Sequence, residues 1–289
     1  MPSLKEIKGR IGSVQGTLKI TSAMKLVASA KLRKAQTAIE GALPYQHLLE
    51  DIMKMAVSGV SEHPLCVERD MRKAVALVCI ASNSSLCGGY NAGMVRNVTA
   101  ALEQYHRDGL NVQVYVMGRK LDQALVKWAR PHGEWLTLVR DYTEKGDKPQ
   151  YGDAAALSQT LCRDFLDGVL DGVELMYMHF RNTASQVLTH DTFLPLKLSQ
   201  DAEGIEPPHI VEPTREELLQ QIVPDALATK MYAVMLDAQA AEHAARTVAM
   251  QAATDNGNEL LEELQVQFNK SRQAAITNEL LDIAGASAE

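Results

Sequence analysis

The residues of this chain that could do chemistry lie in a short turn, Ser84–Gly89 (SSLCGG), between a predicted strand and a predicted helix. A glycine-containing turn at a helix start can hold a phosphate group with its backbone N–H groups. Cys87 lies in the same turn, where proximity to a helix N-terminus can lower a thiol pKa. Two adjacent glycines are equally typical of an ordinary tight turn, and the sequence places no histidine or acid beside Cys87. We therefore interpret Cys87 as a packing residue and keep phosphate binding as an alternative.

Other catalytic patterns are missing from the sequence. The eight histidines form no HExxH motif, and the chain contains neither a Walker loop nor a GxGxxG motif. The four cysteines (Cys66, Cys79, Cys87, Cys162) form no CxxC pair, which favours reduced thiols in a cytosol-like compartment. The sequence thus predicts no catalytic residue, no metal site and no cofactor.

The composition favours a folded protein rich in helix. The chain has 289 residues, of which 46% are hydrophobic and only 5% aromatic. This length allows one large domain or two ordinary ones. The longest apolar run, Ala74 to Ala81, is far too short to span a bilayer. The polar and basic N-terminus predicts neither a signal peptide nor a transit peptide.

The last segment, residues 225–284, is predicted to be one long helix with a coiled-coil seam. Apolar or small residues alternate there by three and four: Met231, Val234, Ala238, Ala241, Ala245, Val248 and Ala252. A helix of this length spans about 90 Å, so it must leave the globular body. Its outer positions, which a free helix would expose, include Tyr232, Leu236, Ala240 and Met250. Pro224 is predicted to kink the helix near its start.

The first segment shows a similar pattern. Its seam is predicted at Leu4, Ile7, Ile11, Val14 and Leu18, and after a shift in phase at Met24, Val27, Leu32, Ala35 and Ile39. Pro44 is expected to end this helix and to begin a further helical piece. Gly9, Gly12 and Gly16 lie away from the seam. They indicate either fraying near the terminus or a closely approaching partner surface.

Between these helices the period changes to that of an α/β domain. Strands are predicted at 74–81, 111–117, 136–139, 173–180 and 186–196, and helices at 91–106, 120–129 and 151–170, with Asn91 as a helix cap. Residues 201–213 are predicted to be a linker. The fold class is therefore α/β, with a largely parallel sheet and an antiparallel, left-handed coiled coil of the terminal helices. The predicted divisions are 1–60, 61–212 and 213–289.

The charge is unevenly distributed. Residues 1–40 hold eight basic and two acidic side chains, whereas the whole chain has a formal net charge of −7. A basic helix can face nucleic acid, a membrane or an acidic protein surface, and it can also be simply solvated.

Two long terminal motifs resemble those of the F-type ATP synthase gamma subunit. ITSAMKLVASAKL, residues 20–32, is similar to the N-terminal signature of that family. Residues 245–279, which contain ARTVAMQAATDNGNELLEEL, resemble its C-terminal signature, and LCGGYN resembles the turn after its first strand. The resemblance covers the whole chain. The extra cysteine pair of the chloroplast members is absent, which favours a bacterial type.

The resemblance implies a rotor shaft that performs no bond chemistry. The coiled coil would lie inside the ring of alpha and beta subunits, and the α/β domain against the epsilon subunit and the ring of c subunits. It implies contact with the membrane only through the complex, on the cytoplasmic side of the bacterial plasma membrane, and no nucleic acid partner. Carried over by position, the contacts with the beta lever and catch loop would be Met24, Lys25, Arg246, Arg272, Gln273 and Thr277.

Two other classes of function stay open at this stage. One is a coiled-coil scaffold or adaptor without a motor role, which would not purify with ATPase alpha and beta subunits. The other is a nucleotide-binding enzyme that uses the Ser84–Asn91 turn, which would bind a nucleotide tightly as an isolated protein.

Overall fold

The structure is a computed structural model that describes residues 3–57, 63–69, 71–196 and 214–286. These residues form an α/β domain and two long helices that extend from it. The predicted linker at 201–213 lies outside the described residues.

The α/β domain is built on one five-stranded sheet. Its strands are β1 (Ala74–Ile80), β2 (Asn111–Met117), β3 (Leu136–Val139), β4 (Gly172–Asn182) and β5 (Ser185–Leu194). The order across the sheet is β3-β2-β1-β4-β5, with β5 antiparallel to β4 and all other pairs parallel. The predicted largely parallel sheet is confirmed, and the β4–β5 turn is shorter than expected, at Thr183–Ala184.

Helices cover both faces of this sheet. On one face, α2 (Tyr90–Arg107) and α3 (Arg119–Ala129) pack against β1 and β2. On the other face, α4 (Tyr151–Leu166) packs with part of the C-terminal helix. The prediction that α4 continues to residue 170 was wrong, because the chain turns at Gly168 with a φ of +78°, which glycine adopts without strain.

The N-terminal helix, α1 (Leu4–Val57), is continuous through Pro44. The predicted break at this proline was therefore wrong. A proline inside a helix removes one backbone hydrogen bond and costs about 3 kcal/mol. Burial of Leu49 and Met53 in the core just beyond it offsets that cost.

The C-terminal helix, α5 (Arg215–Ala286), runs antiparallel to α1. Leu18 lies against Gly257, Thr21 against Thr254, and Leu32 and Ala35 against Ala240 and Ala244. In these contacts, residue numbers that increase along α1 meet residue numbers that decrease along α5, as an antiparallel pair requires. The predicted antiparallel pairing is confirmed.

The seam of α1 keeps one phase over its length, so the predicted phase shift was wrong. Its buried positions are Ile7, Thr21, Ala28, Leu32 and Ala35. All five fit one alternation of three and four residues. Val27, assigned to the shifted seam, is 57% exposed. The polar Thr21 hides the continuous pattern in the sequence, because its hydroxyl accepts a hydrogen bond from Thr254 at 2.9 Å inside the seam.

The seam predicted for α5 faces the α/β domain instead of α1. Met231, Val234 and Ala238 belong to the core beneath the sheet, and Ala241 packs on Cys87 and Tyr90. The predicted outer positions are covered as well, with Leu236, Ala240 and Met250 at most 4% exposed. This stretch of α5 is therefore buried on two sides, and an alternating pattern on one side does not indicate which neighbour covers it.

The glycines of the two helices differ in their surroundings. A Cβ atom added to Gly257 would lie 2.7 Å from Leu18 Cδ2, so glycine at this position lets the helices approach. The same atom added to Gly9, Gly12 or Gly16 would meet nothing within 4 Å. These three glycines face open space, as their placement away from the seam predicts.

Candidate partner-contact sites

Two of the candidate contact residues, Met24 and Arg246, line one cleft. Met24 and Val27 of α1 form part of one wall, and Glu242, His243 and Arg246 of α5 lie across from them. The cleft measures about 260 Å³, and Ser84 and Asp147 from the α/β domain complete its lining. Lys25 is the half-buried neighbour of Met24 on α1. The cleft thus joins apolar side chains to a group of buried charges.

Arg246 lies inside the molecule and not on its surface. It is 8% exposed, and its guanidinium donates to Glu242 at 2.5 Å, to the Ser82 hydroxyl at 3.3 Å and to the Ser85 carbonyl. The helix places Glu242 one turn before Arg246, where the two side chains meet. Burial raises the pKa of Glu242, and the nearby Arg246 opposes that shift. In this conformation the contacts of Arg246 are internal, and its part in partner binding stays a prediction.

His243 is a buried imidazole beside that ion pair. It is 4% exposed, and its Nδ1 has no hydrogen-bond partner. Burial lowers its pKa to about 4, and the positive charges of Lys31 and Arg246 act in the same direction. His243 is therefore neutral at pH 7 and adds no charge to the cleft.

The other three candidates lie near the far end of α5. Arg272, Gln273 and Thr277 are exposed, and the Thr277 hydroxyl donates to the Gln273 carbonyl within the helix. The Leu18–Gly257 register, extended along the pair, places Leu4 opposite Ser271. Arg272 and the residues after it therefore project past the described start of α1. Arg272 lies about 39 Å along the helix from Arg246, at 1.5 Å per residue.

The turn at Ser82–Gly89 is held by its own side chains and by α5. The prediction that Asn91 caps α2 was wrong, because α2 begins at Tyr90 with Gly89 at its N-cap. Its side chain instead accepts from the Ser82 N–H and donates to the Ser84 carbonyl. Leu86 has a φ of +65°, a strained conformation for a residue with a branched side chain. The turn is thus a fixed structural element.

The position of this turn explains why the phosphate alternative loses support. In doubly wound sheets, ligands bind outside the carboxyl ends of the strands where the strand order reverses. Here that point lies between β1 and β4, and α5 covers it with Arg246, Ala241 and Ala245. Cys87 is 1% exposed and burial raises its pKa. These contacts support the interpretation of Cys87 as a packing residue.

Sequence reasoning missed the buried group around Arg246. Glu242, His243 and the serines of the turn became visible only when the fold brought α5 over the end of β1. The spacing of Glu242 and Arg246, i and i+4 on a helix, was the available signal. Such pairs are common on exposed helix faces, so the spacing alone does not indicate burial.

Among the residues that the structure describes, no group of three or more histidines, cysteines, aspartates or glutamates could hold a metal ion. No helix in that part of the chain is long and apolar enough to cross a membrane.

Comparisons with known proteins agree along the whole chain. The ATP synthase family model matches residues 3–288. An ATP synthase gamma chain from Phocaeicola vulgatus is 50% identical over 294 residues, with 99% of both chains covered. A gamma chain from Bacteroides fragilis is 46% identical, with 99% of both chains covered. One from Flavobacterium johnsoniae is 37% identical, covering 99% of this chain and 98% of that one.

Solved structures share the fold. A chain of the Euglena gracilis mitochondrial ATP synthase, in an assembly of OSCP, F1 and c-ring, matches with a TM-score of 0.66 and 20% identity, covering 99% of this chain and 93% of that one. A central stalk and c-ring structure from Tetrahymena thermophila matches with a TM-score of 0.56 and 24% identity, covering 81% of this chain and 99% of that one.

Proposed function

The chain belongs to the ATP synthase gamma-chain family, and from this membership we propose that it is the central rotor shaft of a bacterial F-type ATP synthase. The observation that carries the proposal is the full-length match to bacterial gamma chains, one of them at 50% identity. The architecture supports it, because two long helices leave the α/β domain as an antiparallel pair. A shaft of this kind couples rotation at one end to events at the other.

We propose that the helix pair lies within the ring of alpha and beta subunits. The α/β domain then contacts the epsilon subunit and the c-subunit ring. The proposed divisions are a shaft from residues 1–60 and 213–289 and a foot from residues 61–212. The protein would associate with the cytoplasmic side of the plasma membrane through these partners.

The proposed mechanism is a bias on the states of the ring. Each orientation of the shaft must make more favourable contacts with one arrangement of the beta subunits than with the others. Met24 and Lys25 would meet the beta lever on α1, and Arg272, Gln273 and Thr277 the catch loop near the end of α5. We propose that the chain performs no bond chemistry itself and that it influences ATP turnover and ion flow through these contacts.

The test is reconstitution with alpha and beta subunits. We expect the full chain to assemble with them, to rotate during ATP hydrolysis, and to be inactive as an ATPase when it is free of beta subunit. A chain that folds but never joins the ring would indicate a scaffold with another partner. Metal-dependent ATPase activity of the isolated chain would contradict the non-catalytic role.

A further inference from the structure

A row of polar contacts joins α5 to the α/β domain. Lys230 lies 3.0 Å from the carboxylate of Asp191 and donates to the Thr192 carbonyl. Further along, Asp237 accepts from His179 and from the Phe180 N–H at 2.7 and 2.9 Å. These contacts follow α5 in the direction of its free end. They attach the helix to β4 and β5 on one side of the sheet.

Arg246 ends this row and contacts a different part of the domain. Its guanidinium joins Glu242 to Ser82 and Ser85, in the turn that follows β1. Beyond it, the side-chain hydrogen bonds that the structure describes on α5 go to α1 or to α5 itself, such as those of Thr254. Arg246 is therefore the last polar attachment before the helices leave the domain.

The chemistry of this attachment gives it a fixed direction. The hydrophobic effect is non-directional, so the burial of the alanines around α5 does not by itself favour one rotation angle of the helix. A guanidinium offers its donors in a rigid fork, and each bond weakens steeply when its angle changes. The side chains of Arg246 and Glu242 are only 10% and 6% exposed, so little water reaches them to replace a broken bond. Glu242 and Arg246 both lie on α5, so a rotation of α5 relative to β1 must break the bonds from Arg246 to Ser82 and Ser85.

We propose that Ser82, Ser85, Glu242 and Arg246 form a torsional joint that fixes the angle of the coiled coil relative to the α/β domain. This proposal rests on the rotor function proposed above and assigns Arg246 a positioning role instead of direct contact with the ring.

Between Asp237 and this joint, the Tyr90 hydroxyl donates to the Ala238 carbonyl and the Gln239 side chain donates to the Asp147 carbonyl. The joint adds the turn after β1 to these attachments and lies nearest the free end of α5. Torque passes through it to α5, and α1 follows through the seam.

The first test measures the angle in the full-length isolated chain. Spin labels at Glu103→Cys on α2 and Gln265→Cys on α5, both exposed positions, report the distance between domain and coil. A Cys66→Ser background limits labelling elsewhere, because the other three cysteines are buried. We expect Arg246→Met to broaden the distance distribution. Arg246→Lys, which keeps the charge without the fork, is expected to lie between this variant and the unmodified chain.

Two further variants separate the joint from general destabilisation. Arg246→Met alone leaves Glu242 as an unpaired buried charge, so Glu242→Gln combined with Arg246→Met removes the pair together. Arg96→Met, on the exposed side of α2, is the matched control for one lost arginine. We expect the combined variant to broaden the distribution and the control to leave it unchanged. An unchanged width in a folded combined variant would overturn the joint.

The second test uses the assembled complex. With the alpha–beta ring fixed to a surface, a probe on the α/β domain fluctuates in angle while the motor pauses. We expect a loss of torsional stiffness in the combined variant and none in Arg96→Met. Equal stiffness, despite a broadened distance distribution in the isolated chain, would show that torque bypasses the joint. If the unmodified chain fails to join the ring, the rotor function fails, while the distance measurement still decides whether the joint exists.

Discussion

At the scale of single residues, α5 carries a few polar side chains that the fold has buried among apolar ones. Glu242 and Arg246 compensate each other, whereas His243 Nδ1 has no partner. An unsatisfied buried polar group costs about 1–3 kcal/mol. The stability of the protein therefore depends on pH and on substitution at these three residues, which is not expected at the surrounding alanines.

We expect His243 to make the stability of the protein depend on pH. Its folded-state pKa of about 4 lies below the ordinary value of 6.5, so the unfolded chain binds its proton first. The stability is fully present above pH 6.5 and falls as the pH drops towards 4, by up to roughly 3 kcal/mol. Unfolding free energies between pH 7.5 and about 4.5 will measure this. The pKa of the neighbouring Glu242 is raised as well, so the difference in unfolding free energy from a His243→Gln variant isolates the effect of the histidine. Identical pH profiles of the two proteins would contradict the prediction.

Gly257 offers a second prediction at this scale. Alanine raises helix propensity by about 1 kcal/mol over glycine, but its Cβ would lie 2.7 Å from Leu18 Cδ2. Leu18 is half-buried and its side chain must shift, which offsets part of this gain, so we expect Gly257→Ala to raise the melting temperature less than alanine does at an open helix position. Gly12→Ala, which meets nothing within 4 Å, is the matched control and is expected to raise it. A Leu18→Ala background is expected to remove the offset at Gly257. An offset that persists there would indicate another cause.

At the scale of elements, the sheet was largely predictable and the helix contacts were not. The strand at 111–117 and the short one at 136–139 were predicted at their observed bounds, because apolar β-branched runs between turns leave few alternatives. The seam of α5 was misassigned, because alanine fits both the coiled coil and the packing against a sheet. Which neighbour covers Ala241 and which covers Ala240 depends on contacts distant in the sequence.

The basic stretch of α1 gives a prediction about association. Lys31, Arg33 and Lys34 are exposed, and we expect their joint replacement by Glu to weaken binding to the alpha–beta ring. The loss should shrink with added salt, because exposed charges are screened over about 8 Å at physiological ionic strength. Binding measured from low to high salt, with helix content checked by circular dichroism, tests this. A loss that is independent of salt would contradict an electrostatic cause.

At the scale of the whole molecule, the tip of α5 is expected to act on the ring. Arg272 and Gln273 are exposed beyond the described start of α1, and a charge-assisted hydrogen bond contributes about 1.5–3 kcal/mol. We expect Arg272→Ala with Gln273→Ala to leave assembly intact and to lower ATP turnover and ion pumping, since alanine preserves the helix. Assembly at the normal level with unmodified pumping would contradict this grip. The contact would then lie lower, around Met24 and Lys25.

The candidate contacts were predictable only in part, for a physical reason. Arg272, Gln273 and Thr277 lie on an isolated helix, where position along the sequence translates directly into exposure. Met24 and Arg246 share a cleft made by three separate parts of the chain, and that arrangement exists only in the folded molecule. Arg246 was a candidate partner contact in the sequence, and only the fold shows that the turn after β1 lies against it.

The unbroken seam of α1 and α5 has a mechanical consequence. A seven-residue repeat winds two helices into a left-handed supercoil. The torsional stiffness of such a pair differs between the two directions of twist. Twist in the same sense as the supercoil presses the two helices together and compresses small residues such as Gly257 and Ala244. Twist in the opposite sense separates the helices along the seam and stretches the Thr21–Thr254 hydrogen bond. A shaft built in this way should therefore be stiffer when driven in one direction of rotation than in the other.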